Sequence, residues 1–257
     1  MAITKGMKYA EGELFASRAE QRGVQIIIDY FETQKSGGRL QDAGEIKSGE
    51  LDRLFSALAG YYTEKGYDKN RTGREMVLFE NALFYDVCAL IEVSTKYSPE
   101  DKIGMMAAAK GIIVKSAGAS SPAAEYSPQE IDMKIIRLAD KGVKVLSRML
   151  PNIKDETDPK KIEEYGHKIM DEVYPLFEGL LSYLKKIPSA GVEAESRNME
   201  WLLFGAVAEA ILQNATYTSG QKINMLRVAR NVANGCAESI IIENKGYKTG
   251  EEEQTSR

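Results

Sequence analysis

Glu164-Tyr165-Gly166-His167 is the pattern with the clearest chemical meaning in this chain. A Glu-x-x-His pair sets an oxygen and a nitrogen ligand on neighbouring turns of a helix, and helical di-metal sites use two such pairs pointing into the bundle. The phase here opposes that use. Ile162, Ile169, Val173, Leu176, Leu180 and Leu184 mark the apolar side of the same helix, so Glu164 and His167 turn toward solvent. His167 is also the only histidine in the sequence. Ser-His-Asp and Cys-His nucleophile systems would have to use it, and a zinc site would have to rely mainly on carboxylates.

Other catalytic signatures fail on spacing. Gly37-Gly38 lacks the Walker spacing and the Lys-Ser or Lys-Thr that completes a phosphate loop. Cys88 and Cys236, the only cysteines, sit among apolar neighbours in expected helices and read as small core residues. No metal and no cofactor is expected.

Two sets of charged residues survive. Glu80 and Asp86 flank the apolar face of one expected helix, and Glu200 shares a face with Phe204, Val207 and Ile211. Carboxylates turned inward are raised in pKa unless paired, and such perturbed acids gather at functional sites. Together they define one reading, a helical enzyme or ligand-binding protein with a carboxylate cavity that could take a divalent metal. The competing structural explanation is that each is paired inside the bundle.

The second set is Lys134, Arg137, Lys141, Lys144 and Arg148, which recur at intervals of three, four, three and four. They therefore line one face of a helix, opposite its apolar stripe, over about 21 Å. Glu130 stands at the start of the row and Asp140 at its border. Such a ridge suits a nucleic-acid backbone, with attraction that falls steeply with salt, or an acidic protein surface. No aromatic is interleaved for base stacking, so any nucleic-acid recognition would be of backbone and shape. Arg227, Arg230, Asn231 and Asn234 on the last helix are candidates to extend it.

The elements that must carry these residues are helices. Residues 74 to 97 run about 24 positions without Gly or Pro, too long for a strand, and are apolar on most sides. Thr72 and Glu75 stand in capping-box relation before them, and Ser98-Pro99 follows as a stop. Met76, Phe79, Leu83, Val87 and Leu90 form a stripe, with Leu78, Phe84 and Ile91 off it, so this helix is expected at the centre of the core. Around it the periodicity predicts helices over about 9–34, 49–65, 99–117, 128–150, 159–186, 192–214 and 221–244, with a bend near Gly23 and a kink at Pro175. Ser36–Gly44, 118–125 and 187–191 read as loops, and 245–257 as a solvated tail.

The expected fold is thus all-α, an array of about eight mostly antiparallel helices in a single domain over 1–244, with 151–158 the best hinge. Hydrophobic residues make up 43% and charged residues 28%, ordinary for a globular protein. With 34 basic against 38 acidic side chains the net charge is −4, so attraction to polyanions must be local. No apolar run reaches the 18 to 20 residues of a membrane span, and the amino terminus lacks the form of a secretory signal. The expectation is a cytoplasmic, non-catalytic interaction subunit of a larger protein or nucleoprotein assembly. Its partners would be other protein subunits and, through the ridge, nucleic-acid backbone; self-association is the further alternative.

Overall fold

A computed structural model describes residues 2–37, 48–120, 126–187 and 191–255, with side chains over 15–33, 49–119, 126–187 and 191–245. The described residues are helical and contain no strand. The α-helices are α1 (Ala2–Gly37), α2 (Ser48–Glu64), α3 (Lys69–Val93), α4 (Pro99–Ser120), α5 (Glu130–Met149), α6 (Pro159–Leu184), α7 (Val192–Gln213) and α8 (Ser219–Thr255), with a 3-10 turn at Leu150–Ile153. The chain is all-α. Most of the expected loop at 36–44 and residues 121–125 of the next one lie outside the described residues.

Two compact units result, one of residues 1–97 with 104–127, the other of 98–103 with 128–257. In the first, α1 and α2 are antiparallel: Phe15 stacks on Tyr61 at 4.1 Å while Arg22 reaches Glu50 at 3.7 Å. α3 packs on both. Gly23 is required there by close approach: a Cβ on it would lie 3.0 Å from a Leu83 methyl and 3.3 Å from a Leu54 methyl. The helix itself continues through that glycine.

α3 starts five residues earlier than the sequence suggests. Asp68, not Thr72, caps it, accepting from the Arg71 amide at 2.8 Å. Thr72 is instead buried within the helix. An Asp68→Ala substitution is expected to cost about 1 kcal/mol, read as a lower urea midpoint of the far-UV circular dichroism. The helix also stops early, at Val93, before Ser98-Pro99 can end it. Met76, Phe79, Leu83 and Val87 are buried as the stripe requires, with Phe84 and Ile91, but Leu90 is 49% exposed.

In the second unit four helices form a bundle. Antiparallel α5 and α6 are read from Arg148 beside Glu172 and Lys134 over the Tyr183 ring. Antiparallel α7 and α8 follow from Arg197 bonding Glu238 near one end and Lys222 donating to the Leu212 carbonyl near the other. α6 and α8 run side by side in the same direction, Met170 against Gly235 and Tyr174 against Glu243. α5 packs on α7, whereas α6 and α7 meet only slightly, so the order around the bundle is α5, α6, α8, α7. Leu146, Val173, Phe177, Leu203, Phe204 and Cys236 fill its core.

At α4 Ser98 and Asp101 cap reciprocally, and at α6 Asp158 caps while Pro159 takes the first position. At α5 Gln129 caps in a box with Asp132, while the Ser127 amide donates to Asn70. Pro175 lies within a continuous α6. Segment 151–158 consists of the 3-10 turn and the cap of α6, inside the second unit. α8 runs on to Thr255, so the backbone of the expected tail is helical as far as that residue.

Candidate functional site

α5 is sharply two-faced because its polar and apolar residues alternate at helical period. Ile135, Leu138, Ala139, Gly142 and Leu146 are buried. Gly142 lets α7 approach, since a Cβ there would lie 2.9 Å from a Leu203 methyl. On the opposite side Arg137, Lys141, Lys144 and Arg148 are exposed and Lys134 is half-buried. The five are not equivalent. Lys134 lies over Tyr183, with its ammonium 5.6 Å from the ring centroid, and Arg148 meets Glu172 at 3.5 Å. Arg137, Lys141 and Lys144 form no ion pair among the described residues. Between the two anchored ends the row thus offers three consecutive cations over about 10 Å.

The inward carboxylates belong to separate units, Glu80 and Asp86 to the first and Glu200 to the second. Glu80 is half-buried and lies 3.6 Å from the Lys110 ammonium. That ammonium also sits over the Phe84 ring, at 5.1 Å. Glu200 is 1% exposed, bonded by Arg197 at 2.7 Å and by the Asn234 amide at 3.1 Å. Arg197 continues to Glu238, closing a four-residue network across α7 and α8. Burial works against the charge of Arg197, but its bonds to Glu200 and Glu238 outweigh that and raise its pKa.

Asp86 is different, because its neighbour is another acid. Burial first, then the charge and hydrogen bond of Asp86, push the Glu20 carboxyl up to about 7. Sequence reading placed Asp86 on the apolar flank of α3 but missed Glu20, which the α1–α3 packing brings to it. No family model, curated protein or solved structure matches this chain.

A cleft of about 660 Å³ lies between α6 and α8 toward their first turns, with Glu156 and Thr157 among its lining. Ile162, Gly166, Met170, Val228 and Val232 line it, with Glu163, His167, Arg227 and Asn231 among its polar residues. Asn224, also in the lining, donates to the carbonyls of Lys154 and Glu156. The sequence did not show it, because a cleft at the end of a bundle depends on how far two helices diverge.

Glu164 and His167 are both exposed, and the His167 imidazole lies 4.0 Å from Glu163. No group of three or more metal-ligating side chains occurs among the described residues. Cys88 and Cys236 are buried free thiols, and burial pushes the Cys236 thiol up to about 12, away from nucleophilic use. No helix among the described residues is long and apolar enough to cross a membrane.

Proposed function

We propose that this chain is a non-catalytic helical interaction subunit that docks an acidic protein surface through Arg137, Lys141 and Lys144. The observation that carries this is the row itself: three exposed cations in line, with no ion pair among the described residues, on a chain of net charge −4. Cations in that state keep their full attraction for an outside partner, whereas paired ones have already used most of it. Of the carboxylates that would serve an enzyme, Glu80 is engaged by Lys110 and Glu200 by Arg197 and Asn234.

A protein partner is favoured over nucleic acid by the shortness of the row. Three charges at helical spacing match carboxylates three and four residues apart on a facing helix. They cover few phosphates, and α5 has no aromatic side chain to stack on bases. Immobilised poly-L-glutamate and duplex DNA test the two partners side by side. The wild type is expected to bind polyglutamate at about 50 mM salt and to release it near physiological salt. The triple reversal Arg137→Glu, Lys141→Glu, Lys144→Glu should weaken that binding at least tenfold. Tighter binding to the duplex, with a logarithmic salt slope of about −3, would make the partner a nucleic acid. Equal binding by wild type and reversal on both polyanions would remove the row from the function.

A further inference from the structure

We infer that the acidic partner of the row is a second copy of this chain, met through the outer face of α6. This rests on the docking role proposed for the row and names what it docks. Glu164, Asp171 and Glu178 are exposed on α6 and make no ion pair among the described residues. Seven-residue spacing brings each back to nearly the same side of the helix, so the three form a line. Arg137 and Lys144 are also seven apart. The acidic line and the cationic row therefore share a repeat of about 10 Å.

The two lines lie on neighbouring helices. Arg148 and Glu172, 3.5 Å apart, mark the seam between α5 and α6, and Lys134 over Tyr183 marks its other end. One face of the bundle thus carries a cationic strip beside an anionic one. A two-fold axis through such a face sets the cationic strip of each copy on the anionic strip of the other, so both contacts form twice. Lys168, four residues after Glu164 and three before Asp171, holds its ammonium 5.7 Å from the Tyr165 ring centroid. At net charge −4 two copies repel overall, so this contact depends on the local match of opposite charges, and added salt should loosen it.

Charge exchange tests the arrangement directly. One variant carries Arg137→Glu, Lys141→Glu and Lys144→Glu; the other carries Glu164→Lys, Asp171→Lys and Glu178→Lys. All six positions are exposed, and far-UV circular dichroism checks that both variants fold. Sedimentation at about 50 mM salt should show the wild type at twice the 28.5 kDa monomer mass and each variant alone as monomer. An equimolar mixture of the variants should return to the doubled mass, because both swapped contacts are again opposite in sign. A wild type that stays monomeric at about 100 μM, or a variant that dimerises alone, overturns the inference. If the wild type is monomeric but binds polyglutamate and the row reversal does not, only the identity of the partner falls. If both bind it alike, the docking role falls as well.

Discussion

Replacing Arg197 by methionine is expected to lower the unfolding free energy of the α5–α8 bundle by about 3–5 kcal/mol, the largest single effect foreseen in this protein. The reason is what the substitution leaves behind. Glu200 is 1% exposed and its partners are the Arg197 guanidinium at 2.7 Å and the Asn234 amide at 3.1 Å. Without Arg197 a carboxylate stays buried with one neutral donor, and desolvation of that charge is no longer offset. Glu238, at 44% exposure, can turn to water and adds little. A loss of that size lowers the melting temperature by roughly 10 °C.

Two further variants isolate the cause. Glu200→Gln removes the charge but keeps hydrogen-bonding capacity toward Arg197 and Asn234, and should cost much less. Arg197→Met combined with Glu200→Leu replaces the ion pair by apolar groups and should recover most of the loss, as buried pairs often permit. Urea unfolding followed by Trp201 fluorescence is read from within this unit, since Trp201 is the only tryptophan and lies on α7. An Arg197→Met variant within 1 kcal/mol of wild type would show that water reaches Glu200, contrary to its burial.

This network also marks where sequence reading reaches its limit. That Glu200 faces inward was legible, because it shares a helical face with Phe204, Val207 and Ile211. Arg197 was reachable in principle as a neighbour one turn back. Glu238 and Asn234 were not, because the register between α7 and α8 is set by packing of both helices and leaves no periodic trace in either. The same holds for Glu20 beside Asp86. Within single helices the sequence carried further. The buried stripe Met225, Ala229, Val232, Cys236 and Ile240 of α8 and the solvent side of α5 follow from period alone. Starts were legible where side chain and backbone agree, as at Ser98 and Asp158, and shifted where a competing acid lay nearby, as with Asp68 at α3. α3 is the case of an element correct in kind and less enclosed than expected. Its last turns carry Leu90 and Val93 at 49% and 65% exposure, on a stretch whose apolar count implied burial throughout.

The first unit should lose stability as pH rises from about 4.5 to 7, and Glu20→Gln should abolish that loss. The carboxyl of Glu20 is held near 7, against 4.5 for the free group, by burial and then by the charge and hydrogen bond of Asp86. Between those values the folded state binds the proton and the unfolded state does not, so the unfolding free energy falls with rising pH. The contribution is complete below about 4.5 and gone above about 7, with a size on the order of 2 kcal/mol once screening of a half-exposed pair is allowed for. Glutamine supplies a permanent N–H donor toward Asp86 in place of the titrating proton. The Gln variant should therefore be flat through the window and more stable than wild type at pH 8. Asp86→Asn should flatten the slope only in part, because burial, the larger cause, acts on Glu20 without Asp86. Far-UV circular dichroism in urea at several pH values measures the helical transition, while Trp201 fluorescence reports α7 separately. An unchanged slope in Glu20→Gln would assign the pH dependence to other groups and leave the Glu20–Asp86 pair without thermodynamic weight.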